Sequence, residues 1–295
     1  MLLHENPKLF NGLLKEAALN LGIDTKYIEK DYYALTLLKQ ITSKDPNIVF
    51  KGGTSLSACY NIINRFSEDI DITYAFKTGR SKKRTIKNNI IDSINEIGLK
   101  LINLNEIRST HLVNKYKCSY DTKDNVLVEF SSIATAFPIE KRNAQTLIGK
   151  YLCSINRKDL LEEYQLEEFS INTLSIKRTL IDKIFAICDY YLAETTNRQS
   201  RHLYDIYRIM KVVCLDEEIL ELFTKVRKER MLHDRCFSAK EEYIISDLLE
   251  KIVLTNVFKM DYKNITSLLL YEKCSYDECL VSINKLILFL RTHNI

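Results

Sequence analysis

The sequence predicts an α/β (α+β) protein: a mixed-sheet domain over residues 1–155, followed by a mainly helical domain over residues 156–295. Short runs typical of β-strands all occur before residue 132, between stretches with helical periodicity. From about residue 176 to the end, apolar residues recur at helical spacing, and no glycine or proline interrupts them. The chain of 295 residues has only seven glycines and three prolines, a scarcity that favours long helices over a many-stranded sandwich.

Two helices are expected at the start of the chain. Apolar residues recur at helical spacing across residues 8–44, and Gly22 divides the run. Asp24 or Thr25 is suited to cap the second helix, because short polar side chains accept hydrogen bonds from the first free N–H groups. Asp45-Pro46-Asn47 then predicts a turn.

Strands and helices alternate between this turn and residue 131. Ile48-Val49-Phe50 is a short apolar run that predicts a buried strand, and a helix is expected to begin at Thr54-Ser55 after two glycines. Residues 69–74 alternate in polarity, as strands with one buried face do. Further expectations are a helix over 84–104, interrupted near Gly98, and strands over 112–120 and 126–131. Residues 134–175 show no clear pattern, and the domain boundary is placed somewhere in 135–170.

Charge is distributed unevenly along the chain. The net charge of +4 excludes a global polycation. One short stretch, the basic segment, nevertheless holds six cations and no acid: Lys77, Arg80, Lys82, Lys83, Arg84 and Lys87. This run is either a solvated loop and helix start or a contact to the phosphate backbone of a nucleic acid.

The sequence predicts a cytoplasmic protein without a membrane partner. Its first residues lack the pattern of a secretory signal, and no apolar run approaches the ~20 residues that span a bilayer. Eight cysteines are scattered without a Cys-x-x-Cys pair, which favours small core residues in a reducing compartment. A zinc site from Cys274, Cys279 and His293 is an alternative, although these residues lack a recognised ligand spacing.

Two carboxylates stand in the strand predicted over residues 69–74. Asp69 and Asp71 project from the same face because strand side chains alternate, and they lie about 7 Å apart along the strand. Carboxylate oxygens at this spacing can hold a pair of Mg²⁺ ions, which would activate an attacking hydroxyl and stabilise a leaving pyrophosphate. An Asp-x-Asp pair alone has little specificity, because exposed strands and turns often carry one.

A Gly-Gly-Thr-Ser turn stands before this pair. Gly52 and Gly53 let backbone N–H groups approach a phosphate closely, and Thr54 and Ser55 open a helix whose N-terminus favours anions. An ordinary strand-to-helix turn with a hydroxyl cap is the alternative. The order strand, glycine turn, helix and Asp-x-Asp strand is more specific, because it places a triphosphate-binding turn beside a metal site.

A third carboxylate is expected on a neighbouring strand. Glu129 interrupts the apolar run over residues 126–131. It is either a third metal ligand or an outward-facing strand residue. The predicted metal ligands are therefore Asp69, Asp71 and Glu129.

These motifs together resemble one family. Lys51-Gly52-Gly53-Thr54-Ser55-Leu56, followed by Arg65-Phe66-Ser67-Glu68-Asp69-Ile70-Asp71, is similar to the AbiEii-type nucleotidyltransferase toxins of bacterial toxin–antitoxin and abortive-infection systems. Ile28-Glu29-Lys30-Asp31-Tyr32-Tyr33 resembles the family's Glu-Lys-Asp-Tyr-Trp element, with Tyr33 where tryptophan is common. Arg201-His202-Leu203-Tyr204-Asp205 resembles a later element of the same family.

The resemblance implies roles for residues outside the metal-binding motif. Lys183 would be an active-site cation that neutralises triphosphate charge. Asp205 would either assist deprotonation of the acceptor or orient Lys183. Ser67 would either contact phosphate or stabilise the turn. Without the resemblance, Lys183 and Asp205 are ordinary residues beside apolar helical stripes.

The implied function is an NTP-dependent nucleotidyltransferase that acts as a toxin and adds nucleotides to RNA, with the tRNA 3′ end as acceptor. The implied cofactor is Mg²⁺, as two ions, and the implied partners are NTP, RNA and a cognate antitoxin protein. The basic segment would then contact the RNA. Two alternatives stay open: nucleotide transfer to a protein or small molecule, and a non-catalytic binding module with the same fold.

Overall fold

A computed structural model describes residues 1–67, 69–120 and 125–295. The chain forms two compact units: a sheet unit of Met1–Asn61 and Phe66–Leu174, and a helical unit of Ile62–Arg65 and Ser175–Ile295. The predicted fold class, a mixed-sheet α/β part followed by a mainly helical part, is confirmed. The predicted domain boundary after residue 155 stays a prediction; packing divides the chain after Leu174.

Seven strands in the described part of the sheet unit form one mixed sheet. They are β1 (Ile48–Lys51), β2 (Asp69–Tyr74), β3 (Lys100–Leu101), β4 (Val113–Ser119), β5 (Asn125–Ser131), β6 (Ile139–Ala144) and β7 (Phe169–Leu174). Their order is β3-β4-β5-β2-β1-β7-β6. β2 is antiparallel to β1 and parallel to β5, so the strand with the two aspartates lies inside the sheet.

The first two helices follow their local sequence signals. α1 (Pro7–Leu21) ends at Gly22, whose φ of 66° is a left-handed conformation that suits glycine. α2 (Thr25–Lys44) begins after Asp24, which accepts a hydrogen bond from the backbone N–H of Lys26 at 3.0 Å. Both predicted helices, and the Asp24 cap, are confirmed.

The prediction of a helix over residues 84–104 is wrong at both ends. α3 (Gly52–Ala58) precedes β2, and the next helix, α4, covers Arg80–Glu96. Gly98 then adopts a φ of 74°, and β3 follows it. The glycine therefore ends the helix, because a left-handed residue turns the chain away from the helical path.

The part of the sheet unit without a clear sequence pattern contains β6 and β7, so the strands do not all occur before residue 132, and it also contains two short helices. They are α5 (Leu147–Ser154) and α6 (Lys158–Glu163), and they lie between β6 and β7. The strands expected over 48–50, 69–74, 112–120 and 126–131 are confirmed as β1, β2, β4 and β5, with small shifts at their ends.

The helical unit confirms the expectation for residues 176–295. Its helices are α7 (Ile176–Leu192), α8 (Arg201–Ile209), α9 (Glu217–Arg230), α10 (Ile245–Thr255), α11 (Lys259–Asn264) and α12 (Tyr276–Thr292). Phe185, Ile206, Leu249 and Ile283 are fully buried and form part of its core. Among the described residues, no helix is both long enough and apolar enough to cross a membrane.

Candidate functional site

The two aspartates of β2 lie on its more exposed face. Ile70 and Ile72 are fully buried, whereas Asp69 and Asp71 are partly exposed. This alternation follows from the period of two along a strand, since the isoleucines occupy the core side. The structure therefore confirms that both carboxylates share a face.

Register places four charged residues side by side across the sheet. Lys51 of β1 lies opposite Asp71, Asp71 lies beside Glu129 of β5, and Glu129 lies opposite Lys115 of β4. We call these four residues the sheet row. The two acids occupy its centre and the two lysines its ends, so each carboxylate has a cation on a neighbouring strand.

Lys115 is a member of the site that the sequence did not reveal. Its ammonium lies 3.0 Å from Glu129 Oε2, with 58% of the lysine side chain and 26% of the glutamate side chain exposed. The hydrogen bond to Glu129, together with the negative charges of Glu129, Asp69 and Asp71, raises the pKa of Lys115. Alternation along this strand can predict that Lys115 faces outward, but its partner depends on the register between β4 and β5.

The donor chemistry of this face fits divalent metal binding in part. Asp69, Asp71 and Glu129 supply the carboxylate oxygens that magnesium prefers. Within residues 1–67, 69–120 and 125–295, no group of three or more His, Cys, Asp or Glu side chains is arranged to hold a metal ion. Glu129 is paired with Lys115 instead. Asp69 and Asp71 therefore fit a metal-binding role better than Glu129 does.

The glycine turn directly adjoins this carboxylate face. Gly52 has a φ of 79°, and a Cβ added there would lie 2.1 Å from Oδ2 of Asp71. Only glycine accommodates both the left-handed backbone and this close approach. The helix after the turn, α3, begins at Gly52 rather than at Thr54, so Gly52 and Gly53 belong to its first turn.

The hydroxyl groups of Thr54 and Ser55 are engaged in hydrogen bonds to protein oxygens. Thr54 Oγ1 lies 2.5 Å from the carbonyl oxygen of Asp69 and 2.9 Å from Ser67 Oγ. Ser55 Oγ donates to the carbonyl of Gly52 at 2.8 Å. Thr54 and Ser55 are buried, so their side chains tie α3 to the start of β2. Ser67 takes part in the same contact, which supports its turn-stabilising role.

The two predicted site residues of the helical unit lie together. Lys183 on α7 donates to Asp205 Oδ2 on α8 at 2.5 Å. Arg65 binds the same carboxylate, with Nε 2.7 Å from Oδ1 and Nη2 2.7 Å from Oδ2. We call Arg65, Lys183 and Asp205 the buried cluster, because their side chains are 3%, 7% and 0% exposed.

Opposing effects set the ionisation of the buried cluster. Burial alone would raise the pKa of Asp205, but Arg65 and Lys183 outweigh burial and hold that pKa well below its usual range. Burial also lowers the pKa of Lys183, although Asp205 opposes this change. No local pattern in the sequence indicated Arg65 as a partner of Asp205, since the two residues are 140 positions apart.

The basic segment is partly used for structural contacts. Lys82 lies 2.8 Å from Asp45 Oδ2, and Lys87 donates to the carbonyl of Ile107 at 3.4 Å. Lys77, Arg80 and Arg84 are exposed at or near the start of α4, and Phe76 beside them is 62% exposed. Cations at a helix N-terminus are unfavourable because they repel its positive dipole end. An anionic partner would relieve this repulsion.

Comparison with known proteins gives a family and a similar fold. The sequence model of the family described as "Nucleotidyl transferase AbiEii toxin, Type IV TA system" matches residues 36–280. The solved structures similar to this chain include MenT4, the nucleotidyltransferase toxin Rv2826c from Mycobacterium tuberculosis H37Rv, with a TM-score of 0.55 and 15% sequence identity. That match covers 94% of this chain and 89% of that chain. Comparison with curated proteins gives no match.

Proposed function

Because the chain belongs to the AbiEii family of nucleotidyltransferase toxins from type IV toxin–antitoxin systems, we propose that it transfers nucleotides from NTP to RNA, with the tRNA 3′ end as acceptor. The observation that carries this proposal is the position of Asp69 and Asp71 beside the Gly52 turn. Nucleotidyl transfer needs carboxylates for metal ions close to groups that bind the triphosphate, and the position of the Gly52 turn next to Asp71 supports such an arrangement.

Different residues of the sheet unit are proposed to bind the magnesium ions and the triphosphate. Asp69 and Asp71 would hold magnesium, and Glu129 would join them when magnesium replaces Lys115 as its partner. Bound magnesium would neutralise triphosphate charge and favour loss of the acceptor hydroxyl's proton. Gly52 and Gly53 are proposed to bind the triphosphate through the backbone N–H groups of their turn. Ser67 is proposed to help bind the nucleotide through the ordered turn.

Thr54 and Ser55 are proposed to act in nucleotide binding through the same turn. Their hydroxyls are already bound to protein oxygens. Their contribution is therefore to fix the shape of the turn, and any direct contact would come from the backbone N–H groups of α3.

The helical unit is proposed to supply one active-site cation. The family resemblance assigns Lys183 to the triphosphate and Asp205 to the same step. A buried ammonium suits this role, because its interaction with a phosphate is weakly screened by water. The antitoxin partner follows from the family.

The RNA acceptor is supported by the basic segment. Lys77, Arg80 and Arg84 are exposed and have the charge that a phosphate backbone requires. Phe76 adds an exposed ring on which an unpaired base can stack. Cations with an adjacent aromatic ring are typical of surfaces that bind single-stranded ends.

The test is incorporation of labelled NTP into purified tRNA. Asp69→Asn and Asp71→Asn should each reduce incorporation by at least about 100-fold, because each removes a charge that acts on the reacting groups. Asp159→Asn is the matched control, since Asp159 is an exposed aspartate of the same unit. Full activity in both site variants would refute the assignment of the site.

The distribution of label decides among the acceptors. Label in tRNA supports the proposal, whereas label in protein or a small molecule shows the same chemistry on another acceptor. If the wild-type chain neither transfers label nor binds NTP in magnesium-containing buffer, the chain is a non-catalytic binding module.

A further inference from the structure

A short segment of the helical unit, Ile62–Arg65, is fixed at several points along its backbone. Tyr204 and Tyr271 hold Asn64 from two sides, and Leu270 bridges to Arg65. The contacts are Asn64 N to Tyr204 Oη at 3.1 Å, Tyr271 N to Asn64 O at 2.8 Å, Arg208 Nε to Ile62 O at 2.7 Å, and an antiparallel bridge between Arg65 and Leu270. This backbone is therefore immobilised at the residue that carries the guanidinium.

The guanidinium of Arg65 forms a bidentate ion pair with the carboxylate of Asp205. Its Nε and Nη2 donate separately to Oδ1 and Oδ2, each at 2.7 Å. Two parallel charge-assisted bonds fix the plane of a carboxylate, which a single donor cannot do. Oδ2 also accepts from Lys183, so the direction of that last hydrogen bond depends on how Arg65 holds the plane.

We propose that Arg65 is a positioning residue, which holds Asp205 so that Asp205 anchors the ammonium of Lys183 for its action on NTP. This inference rests on the proposed function for Lys183. It also decides between the two roles that the family resemblance left open for Asp205. Asp205 orients Lys183 and is not the base that deprotonates the acceptor.

The surroundings of Asp205 support the anchoring role. Three donor bonds from two cations converge on its oxygens, and the carboxylate is fully buried. A general base works best with a pKa near the operating pH, whereas both cations hold the pKa of Asp205 well below its usual range. A carboxylate so stabilised in its ionised form is a poor proton acceptor.

The variants that test this role are Arg65→Gln and Arg65→Lys, with Arg178→Gln as the matched control. Arg178 is also a buried arginine of the helical unit, and its Nε lies 3.1 Å from a carboxylate oxygen of Asp182. Its loss removes a buried arginine without touching Asp205. Stability losses common to both arginines can therefore be separated from effects on Lys183.

Two measurements follow the role of Arg65. The first is the ¹⁵Nζ resonance of Lys183 in ¹⁵N-lysine protein, assigned by its absence in Lys183→Met. We expect it to shift in Arg65→Gln and to stay in place in Arg178→Gln. The second is NTP transfer: Arg65→Gln should raise KM for NTP more than it lowers kcat, with kcat/KM falling about 100-fold. Arg65→Lys should recover about tenfold of this loss, since it restores charge but not the bidentate ion pair.

Each outcome has a definite meaning. If Arg65→Gln and Arg178→Gln have the same effect on the Lys183 resonance and on KM, Arg65 is structural only and the inference is refuted. If Arg65→Gln does not fold, Arg65→Lys decides by the same two measurements. A wild-type chain without transfer activity refutes the proposed function, but the resonance experiment still tests the positioning role.

Discussion

The sheet row and the buried cluster use the same kinds of charge in opposite surroundings. In the sheet row, Lys115 and Glu129 pair with 58% and 26% of their side chains exposed. In the buried cluster, Arg65 and Asp205 pair with 3% and 0% exposed. Exposed ion pairs contribute about 0–1 kcal/mol to stability, whereas removing one member of a buried pair costs about 3–5 kcal/mol.

This difference in exposure matches the two proposed roles. The sheet row is proposed to bind ligands, and the buried cluster is proposed to hold a side chain in position. Carboxylates that exchange a lysine for a metal ion must reach solvent and must release their partner at small cost. A cation that must stay at one position is held more firmly when it is buried beside its partner, because leaving that partner would place an unpaired charge in the protein interior. The row and the cluster therefore differ in the property that their proposed roles require.

The largest expected effect is on stability and tests the contrast directly. Asp205→Asn leaves Arg65 and Lys183 buried without their shared anion, so the free energy of unfolding should fall by about 3–5 kcal/mol. Glu129→Gln, in the sheet row, should change it by less than about 1 kcal/mol. Urea denaturation followed by circular dichroism measures both. Equal losses would show that exposure does not distinguish the two sets of charges.

The next effect concerns the turn beside the sheet row. Gly52→Ala introduces a side chain at a φ of 79° and at 2.1 Å from Oδ2 of Asp71, so it should lower the free energy of unfolding by about 2 kcal/mol. It should also displace Asp71 and lower NTP transfer. Gly12→Ala is the control, because nothing lies within 4 Å of its added Cβ. The same denaturation and transfer assays apply, and an unimpaired Gly52→Ala would contradict the close approach.

The carboxyl group of Asp31, which belongs to neither the sheet row nor the buried cluster, tests the effect of burial on a pKa. Asp31 accepts a hydrogen bond from Leu147 N at 2.6 Å, and burial raises its pKa from 3.8 to about 6. The folded state thus binds the proton more tightly than the unfolded state. The stabilising effect of that proton is complete below about pH 4 and disappears as the pH rises through about 6.

Asp31→Asn should remove this pH dependence. Relative to wild type, the free energy of unfolding of the variant should rise between pH 4.5 and pH 7.5 by about 1–2 kcal/mol. Denaturation at several pH values measures the change. If the free energy of unfolding depends on pH in the same way in both proteins, burial does not raise the pKa of Asp31.

The smallest effect on stability is expected at the end of the sheet row. Lys115→Met removes an exposed ion pair, so the free energy of unfolding should change by less than about 1 kcal/mol. Divalent cation binding should instead tighten by roughly 3- to 10-fold, since a positive charge beside three carboxylates is lost. Manganese titration by electron paramagnetic resonance measures this. Lys141→Met, at an exposed lysine opposite Asn172, is the control and should bind manganese as wild type does.

The sequence predicted the features that depend on local pattern. The strand of Asp69 and Asp71, the helix capped by Asp24 and the helical second part all follow from periodicity and capping within a few residues. The helix over 84–104 was misplaced because a glycine such as Gly98 can either interrupt a helix or end it, and the pairing of β3 with β4 decides between the two. The partners of Lys115 and Arg65 depend on strand register and on contacts between distant segments, which no local pattern contains.

The position of Arg65 in the chain has a consequence for synthesis of the protein. Arg65 emerges from a ribosome 140 residues before Asp205, and the bridging residue Leu270 is made later still. During translation, the sheet unit can therefore be complete while segment Ile62–Arg65 still lacks every contact described for it. If Arg65 positions Lys183, this positioning begins only after Asp205 has been made, so the sheet unit alone lacks this part of the proposed site.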